Sequence, residues 1–586
     1  MTTTAATAYR HNTVLPLSFC LPKREKAQKS SDFWACGTHN PCIKDRVFID
    51  PACGSGNFLT ETYLSLRKME NEVIRLLLDS RTANTKTEQA KITAGQIVMG
   101  IGIANPIRVS IRQFYGIEIN DFAATVAKTA LWIAESQMMK QTEDIVHMNL
   151  DFLPLKSYVN IIEGNALRID WETVVPKREL NYIMGNPPFV GARLMSEAQK
   201  SDLNSVFPGW KNAGNLDYVC CWYKKAADLM KDTTARAALV STNSVTQGES
   251  VSLLWKPLFE LGVHIDFAHR TFRWDSEAAI KAHVHCVIVG FSVAPSDKQR
   301  IIYAEGRLQV ANNINAYLID ADNVFVDSRS KPLCAVPEIG IGNKPIDGGN
   351  YLFTEEEMQL FIAKEPASAE WFKPWYGSHE FINRKPRYCL WLGKCPPNIL
   401  RRMPECMKRV EAVRSFRLAS NSAGTVKLAD KPTRFHVENM PEGNYILIPE
   451  VSSERRRYVP MGFMTPDVLC SNLVKIIPDA SLYHFGILTS NVHMAWMRTV
   501  CGRLKSDYRY SKDIVYNNFP WPTPGPRRQM RRKLGLSRRR RRSSMPARCF
   551  RIAPWPICMT KQPCRRSCAR RISKTTAPSW KPTVCP

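Results

Sequence analysis

A short apolar run that enters a glycine loop constrains the fold of this chain more than any other segment. Val47–Asp50 has the character of a buried strand and leads directly into the loop Pro51–Gly56. Gly54 and Gly56 allow a tight turn and a close approach of the backbone to a ligand. A helix is predicted to follow from about 57 to 78. Strand, glycine loop and helix in this order predict the first unit of a parallel α/β sheet, whereas a plain tight turn is the alternative.

Two later strand ends carry polar residues in the same way. The run 114–120 contains Glu118 and precedes a predicted helix over 123–139. A carboxylate at the tip of the second strand accepts hydrogen bonds from ribose hydroxyls in nucleotide-type folds, although a lone strand-end acid is more often simply solvated. Because 68 residues separate Asp50 from Glu118, an insertion is predicted over 79–112. The run 161–167 then places Asn165 where a small polar side chain meets an adenine ring.

A fourth strand end carries the motif Asn186-Pro187-Pro188-Phe189, which follows the apolar run 182–185. An asparagine oxygen and a backbone carbonyl held rigid by proline can accept both hydrogens of an exocyclic amine, and an adjacent ring can stack on the base. An ordinary turn is the alternative. Four successive strand ends with such residues indicate the ligand edge of a doubly wound parallel sheet.

The alternating pattern continues beyond this motif. The runs 237–244, 263–268 and 284–291 are predicted strands, and the last two suit a closing hairpin around Phe272-Arg273-Trp274. His283 and His285 alternate on a strand without partners at metal-ligand spacing, so no metal site is predicted. Cys36, His39 and Cys42 form an incomplete zinc set.

About 230 residues then precede a change in composition, far more than the chemistry of such a sheet needs. Basic and aromatic residues interleave in two stretches, 375–388 and 503–516. This mixture suits phosphate contact and the reading of base edges, and a solvated charged face is an equally good interpretation of either stretch alone.

These motifs together resemble the class I S-adenosylmethionine-dependent DNA methyltransferases. Their order resembles the γ subclass, and Asn-Pro-Pro-Phe is typical of the group that methylates adenine N6. Four further segments resemble the target-recognition domain of single-chain type II restriction-modification enzymes: Ser452–Tyr458, Tyr483–Ser490, Gly502–Ser511 and Tyr516–Pro522. The similarity runs from about Val47 to Pro524.

The resemblance implies a Rossmann-like, mostly parallel sheet with a closing antiparallel hairpin, followed by an α+β recognition domain. The implied domains are an irregular segment (1–46), a catalytic domain (47–295), a recognition domain (296–525) and a basic tail (526–586). It also implies roles for individual residues. S-adenosylmethionine is held by Asp50, Pro51, Ala52, Cys53, Gly54, Gly56, Glu118 and Asn165. The target base is received by Asn186, Pro187, Pro188 and Phe189. DNA is contacted by Arg384, Lys385, Arg387, Arg455, Arg456, Arg503, Lys505, Tyr508 and Arg509.

The function predicted from this resemblance is methylation of adenine N6 in duplex DNA after base flipping, with no obligatory protein partner. Two alternatives stay open. A protein-glutamine methyltransferase can use a similar motif on an amide nitrogen, but it has no need of a recognition domain of about 230 residues. An inactive remnant of a restriction-modification enzyme would still bind DNA.

The two ends of the chain depart from the family pattern. Since 49 residues precede Asp50, we expect no nuclease activity, and we expect weakened cofactor binding because 1–46 lacks the family's upstream cofactor motif. Residues 527–586 hold 19 Lys and Arg and no Asp or Glu, so they carry 19 of the formal charge of +28. A GC-rich back-translation of 537–586, read one frame away, can give an amphipathic helix and an ending similar to the family's. Our hypothesis is a frameshift after about Pro526 with a largely unfolded tail; a nucleic-acid arm around 538–542 is the alternative.

The composition indicates an intracellular protein of prokaryotic type. A hydrophobic content of 44% permits large globular domains, and neither a long apolar run nor a secretory signal is evident. The 18 cysteines are dispersed without Cys-x-x-Cys pairs, which argues against a disulfide scaffold.

Overall fold

The computed structural model describes residues 45–85, 106–147, 150, 160–275, 283–295 and 299–522. The irregular segment before 45, most of the predicted insertion and the tail after 522 lie outside these residues, as do Cys36, His39 and Cys42. The chain divides between Asp327 and Ser328 into two compact units. Among the described helices, none has the length and apolar character that a membrane crossing requires.

The first unit is built on a nine-stranded sheet. Its strands are β1 (Val47–Asp50), β2 (Phe114–Glu118), β3 (Asn160–Glu163), β4 (Leu180–Gly185), β5 (Arg236–Thr242), β6 (His264–Asp275), β7 (His283–Ser292), β8 (Arg300–Ala304) and β9 (Arg307–Ala311). The order across the sheet is β3-β2-β1-β4-β5-β7-β6-β8-β9. The first five strands in this order are parallel, and β7 runs antiparallel to β5 and β6. The predicted doubly wound sheet with a closing antiparallel hairpin is confirmed.

Helices connect the parallel strands, as the alternating pattern predicts. They are α1 (Asn57–Thr85), α2 (Asp121–Val146), α3 (Glu197–Val206), α4 (Cys220–Met230) and α5 (Lys256–Glu260). The core between sheet and helices contains stacked rings: Phe48 lies 5.1 Å from both Phe114 and Tyr182, measured between ring centroids. Aromatic residues on three neighbouring strands therefore hold β1 at the centre of the sheet.

A buried ion pair fixes the point at which the chain returns to the sheet after α1. Arg67 on α1 pairs with Glu70 one turn later, and both side chains are buried. Glu70 Oε1 accepts hydrogen bonds from the backbone N–H of Arg108 (2.6 Å) and Val109 (3.2 Å). Arg67 Nη2 donates to Thr142 Oγ1 on α2 at 2.8 Å. These bonds join α1, α2 and the segment that leads into β2.

The predicted position of the closing turn is wrong. Phe272, Arg273 and Trp274 do not form the turn; they continue β6 and pair with β7, Phe272 opposite Cys286. Two register irregularities in β6, at 265–267 and 269–272, break the simple alternation of the sequence and hide the length of the strand. The residues that join β6 to β7, 276–282, lie outside the described part of the chain.

The second unit combines three small sheets with helices. Its strands are β10 (Gly340–Ile341), β11 (Leu352–Phe353), β12 (Phe372–Tyr376), β13 (Arg387–Leu390), β14 (Tyr445–Pro449), β15 (Val451–Ser452), β16 (Gly462–Met464), β17 (Leu469–Cys470), β18 (Val474–Pro478), β19 (Gly502–Leu504) and β20 (Asp507–Arg509). Its helices are α6 (Glu355–Lys364), α7 (Ser378–Asn383), α8 (Pro397–Leu400), α9 (Pro404–Leu418), α10 (Ala423–Lys427), α11 (Leu482–Leu488) and α12 (Asn491–Val500). The sheet orders are β10-β18-β14-β16, β11-β13-β12-β17 and β15-β20-β19. The predicted α+β character is confirmed.

One buried arginine organises the loops of this second unit. Arg417 on α9 donates hydrogen bonds to five backbone carbonyls, those of Pro345, Ile346, Leu428, Lys431 and Arg434. A guanidinium group offers five N–H donors in a plane, so it can satisfy several buried carbonyls of irregular backbone at once. Long loops of this unit are thereby fixed without regular secondary structure.

Candidate active site

The glycine loop adopts the conformation that its sequence predicts. Gly54 and Gly56 have φ angles of +53° and +79°, and a Cβ atom on Gly56 would lie 2.9 Å from the Cβ of Ala127 on α2. The Cys53 N–H donates to the Ile117 carbonyl at 3.1 Å, which ties the loop to β2. On its other side, Trp222 of α4 donates from Nε1 to the Pro51 carbonyl at 3.1 Å. The loop is therefore rigid, and larger residues would not fit at its second glycine.

Glu118 at the end of β2 holds this loop in place. Its Oε2 accepts the Gly54 N–H at 2.8 Å, its Oε1 accepts the Asn120 N–H at 3.0 Å, and its backbone carbonyl accepts the Gly164 N–H at 2.8 Å. The next residues present unusually exposed apolar side chains: Ile119 is 68% and Phe122 is 75% exposed. The ribose-binding role of Glu118 remains a prediction. The exposed apolar side chains of Ile119 and Phe122 follow it closely in the sequence.

Asp50 at the end of β1 is a buried carboxyl group with one unused oxygen. Only 1% of the residue is exposed, its Oδ1 accepts the Ala52 N–H at 3.0 Å, and its Oδ2 has no partner among the residues described. Burial raises the pKa of Asp50 to about 7; the hydrogen bond from the Ala52 N–H opposes this shift, and the nearby Glu118 charge adds a smaller upward effect. A Cβ atom on Gly185 would clash with Asp50 Oδ1, so β4 must end in glycine here.

Asn165 after β3 uses both ends of its side chain within the protein. Its Oδ1 accepts the Leu167 N–H and its Nδ2 donates to Asp202 Oδ2 on α3, each at 2.9 Å. Arg168 and Tyr218 also donate to Asp202, at 2.7 and 2.9 Å. Burial acts to raise the pKa of Asp202, but these three hydrogen bonds outweigh it and lower the pKa below its usual range. Asn165 thus fixes its loop, and its predicted contact with the cofactor adenine remains a prediction.

The motif Asn186–Phe189 follows β4 and carries an acceptor that no described residue uses. Asn186 Oδ1 is buried and has no hydrogen-bond partner in the described part of the chain. Pro187 is buried and Pro188 is exposed. The half-buried ring of Phe189 packs against a cluster that includes Cys286 of β7. Buried polar atoms are nearly always paired in folded proteins, so an unpaired one at a strand end marks a place where a ligand can complete the bonding.

The loop after this motif is anchored by Asp217. Its Oδ1 accepts the Ala192 N–H at 3.0 Å, and its Oδ2 accepts the hydroxyl of Ser244 at 2.5 Å. The N–H of Tyr218 donates to the Val190 carbonyl at 2.9 Å. These contacts join residues far apart in sequence, which is why the motif analysis did not find Asp217, Trp222 or Asp202.

The structure brings the predicted cofactor and base residues to one edge of the sheet. β3, β2, β1 and β4 are neighbours in this order, and their carboxyl ends carry Asn165, Glu118, Asp50 and Asn186. Two carboxyl groups and an unpaired amide oxygen make this edge rich in acceptors. It therefore suits a ligand that carries hydrogen-bond donors and a positive charge.

Two family models match the chain. One, described as the MmeI DNA-methyltransferase domain, matches residues 38–304, and the other, described as the MmeI target recognition domain, matches residues 320–523. A solved structure of the type IIL restriction-modification enzyme MmeI in complex with DNA is 41% identical in sequence. The match has a TM-score of 0.77 and covers 90% of this chain and 68% of that one. The chain belongs to the MmeI family.

A curated relative gives the same identity over a comparable length. DNA methyltransferase A of Bacillus subtilis (strain 168) is 41% identical over 485 residues, which are 82% of this chain and 53% of the relative. The chain therefore spans about half the length of that relative. The resemblance to single-chain restriction-modification enzymes that the motifs predict is confirmed at the level of the family.

In the part matched by the MmeI recognition-domain model, several predicted DNA contacts are occupied within the protein. Arg387 pairs with Glu380 (2.9 Å), and Arg509 donates to Glu450 (2.7 Å). The guanidinium carbon of Arg503 lies 4.4 Å from the ring centroid of Tyr508, which is itself buried. Tyr508 and these three arginines therefore have structural partners.

The remaining candidates fall into two places. Lys505 lies exposed in the turn between β19 and β20 with φ of +58°, and Arg455 is exposed in the loop after β15. Their segments belong to one small sheet, and the Glu454 N–H donates to Asp507 Oδ1 at 3.3 Å to join them. Arg456 lies in the same loop, whereas Arg384 and Lys385 follow α7 and lead into a different sheet.

Proposed function

We propose that this chain is a site-specific DNA methyltransferase that moves a methyl group from S-adenosylmethionine to adenine N6 in duplex DNA. The observation that carries the proposal is the buried Oδ1 of Asn186 at the end of β4, which lacks a partner in the described part of the chain and lies on the strand next to the one that leads into the glycine loop. Membership of the MmeI family supports the same reaction class, because the matched models and the relative are named for DNA methylation.

The residues at the sheet edge fit S-adenosylmethionine. Asp50 Oδ2 is a buried acceptor that has no partner among the described residues, which suits the ammonium group of the methionine part. Glu118 offers further lone pairs to ribose hydroxyls, and the exposed Ile119 offers an apolar surface to an adenine ring. When bound, this cofactor supplies an electrophilic methyl group on a sulfonium centre.

The motif after β4 would orient the amine. Asn186 Oδ1 and the Pro187 carbonyl accept its two hydrogens and draw electron density onto the nitrogen as it becomes tetrahedral. No covalent intermediate is needed, so the absence of a nucleophile paired with a general base is no objection. Phe189 supplies the ring on which a flipped base stacks, since the amine is out of reach inside a duplex.

Duplex DNA is the substrate that the second unit favours. The similar MmeI structure is a complex with DNA, and 320–523 matches the recognition domain of that family. We infer that Lys505, Arg455 and Arg456, which present basic groups from one small sheet, contact DNA. The division into a catalytic domain (47–295) and a recognition domain (296–525) stays a prediction. In the structure, β8 and β9 extend the catalytic sheet beyond 295.

The test is Asn186→Ala. Because the substitution removes one of two acceptors on the amine, we expect the rate of methyl transfer to fall at least ~10²-fold while S-adenosylmethionine affinity is unchanged. Transfer from labelled cofactor to DNA measures the first, and isothermal titration calorimetry the second. Asn204→Ala, at an exposed position on α3, is the matched control and is expected to behave as wild type.

Other outcomes separate the alternatives. Near wild-type transfer by Asn186→Ala would overturn the catalytic assignment. Labelling of release factor rather than DNA would favour the glutamine methyltransferase. Retained duplex binding by a wild-type chain that transfers no methyl group would favour the inactive remnant.

A further inference from the structure

A third unpaired polar atom lies at the same edge of the sheet. Asn243 follows β5, is 8% exposed, and its Nδ2 has no hydrogen-bond partner in the described part of the chain. β1, β4 and β5 are adjacent parallel strands. Their carboxyl ends carry Asp50 Oδ2, Asn186 Oδ1 and Asn243 Nδ2, none of which has a hydrogen-bond partner among the described residues. The first two atoms are acceptors and the third is a donor.

The backbone on both sides of Asn243 is fixed to the motif that carries Asn186. Thr242 pairs with Cys286 of β7, and Cys286 belongs to the cluster against which Phe189 packs. Ser244 Oγ lies 2.7 Å from Thr242 Oγ1 and donates to Asp217, which also holds the loop after Phe189. The backbone at Asn243 is therefore held next to the segment that carries Asn186 and Phe189.

An amide donor that stays unpaired in the interior of a protein is unfavourable. The backbone carbonyl of Asn243, by contrast, is paired: it accepts a hydrogen bond from the Thr246 hydroxyl at 3.0 Å. The donor has the opposite polarity to Asn186 Oδ1. A ligand that pairs with both asparagines must offer a donor to Asn186 Oδ1 and an acceptor to Asn243 Nδ2.

We propose that Asn243 is a substrate-binding residue that donates a hydrogen bond from Nδ2 to a ring nitrogen of the target base next to its exocyclic amine. The proposal rests on the proposed function. In adenine the ring nitrogens N1 and N7 flank the amine at C6, so Asn186 and Asn243 together read an amine and an adjacent ring acceptor. Asn186 would bind the amine, and Asn243 would add selectivity for a base that has a ring nitrogen next to that amine.

The experiment pairs a protein change with a change in one atom of the base. Asn243→Ala is tested on duplexes that carry adenine, 1-deazaadenine or 7-deazaadenine at the methylated position. We expect kcat/KM on adenine to fall about 10- to 100-fold, with S-adenosylmethionine affinity unchanged. The deaza base that lacks the contacted nitrogen is expected to lower the wild-type kcat/KM by a similar factor. With Asn243→Ala, that base and adenine are expected to give the same kcat/KM, because the hydrogen bond is already absent. The same coupling is expected in duplex affinity measured with S-adenosylhomocysteine present.

Asn243→Asp, which keeps the shape and removes a donor, is the second variant if the alanine protein does not fold, and Asn204→Ala is the control. The proposal is overturned if Asn243→Ala matches wild type on adenine, or if the losses from the variant and from both deaza bases multiply independently. A wild-type protein that methylates no adenine duplex instead refutes the proposed function, and the present proposal falls with it.

Discussion

At the scale of single residues, the polar side chains at the strand ends differ in whether they bond within the protein. Asn186 keeps a free acceptor, as its motif predicts, whereas both polar ends of Asn165 serve the loop that it begins. Glu118 is predicted to bind the ribose, and in the structure it also holds the glycine loop by accepting the Gly54 N–H. Residue types and order could be predicted because each motif is local. The hydrogen-bond partners of these motifs could not be predicted, because Asp202 and Trp222 are distant in sequence and come into contact with the motifs only in the folded protein.

Asp50 leads to a prediction about pH. Its carboxyl has a pKa of 3.8 when exposed and about 7 in the fold, so between these values the folded protein holds a proton that the unfolded chain has lost. This group's contribution to the free energy of unfolding therefore decreases as pH rises from about 4 to 7, by at most ~1.4 kcal/mol per pH unit. Asp50→Asn removes this dependence.

Urea unfolding of wild type and Asp50→Asn at pH 5, 6 and 7 measures the effect. The stability of the variant relative to wild type is expected to increase with pH. Parallel pH dependences of the two proteins would contradict the high pKa of Asp50, and a uniform offset between them would report only the change in packing.

At the scale of elements, the parallel strands and the closing antiparallel hairpin were predictable, whereas the two edge strands beyond the hairpin were not. The glycine loop, its helix and four strand ends follow from local sequence. β8 and β9 escaped prediction because short edge strands such as Arg307–Ala311 expose most of their residues and lack a clear buried face. The length of β6 was hidden by its two irregularities.

The hairpin of β19 and β20 permits a prediction about DNA binding. Lys505 in its turn is exposed, so its ammonium group is free to replace a counterion on a phosphate. Lys505→Ala is expected to weaken binding to all duplex sequences alike and to reduce the slope of log Kd against log salt concentration by about one. Fluorescence anisotropy over a salt series gives this slope.

Lys408→Ala is the control for charge, because Lys408 is an exposed lysine on α9 that pairs with Glu405. It is expected to leave the slope unchanged. A slope for Lys505→Ala equal to that of wild type would remove the turn from the DNA interface.

At the scale of the whole molecule, charge is distributed unevenly along the chain. Residues after 522 carry 19 of the formal +28 and lie outside the described part of the structure, so the frameshift hypothesis stays a prediction. A chain that ends at Pro522 has a net charge of +9 and keeps both matched family regions almost whole.

This shortened chain is expected to bind non-specific duplex more weakly at low salt than the full chain, because it lacks the 19 basic residues after 522. Site-specific methyl transfer is expected to persist. Gel-shift titration with a non-specific duplex and methylation of a mixed-sequence plasmid measure the two properties. Loss of site-specific methylation on truncation would show that the tail takes part in recognition or folding.

The buried pair Arg67–Glu70 has a consequence for how this protein can vary. Glu70, in the middle of α1, accepts hydrogen bonds from the backbone N–H groups of residues 108 and 109. The segment that leads into β2 is therefore held by a contact that does not involve residues 79–105. The length of that stretch is thereby uncoupled from the position of Glu118. A change in the number of residues between α1 and Arg108 is therefore expected to leave the hydrogen bond from the Gly54 N–H to Glu118 in place.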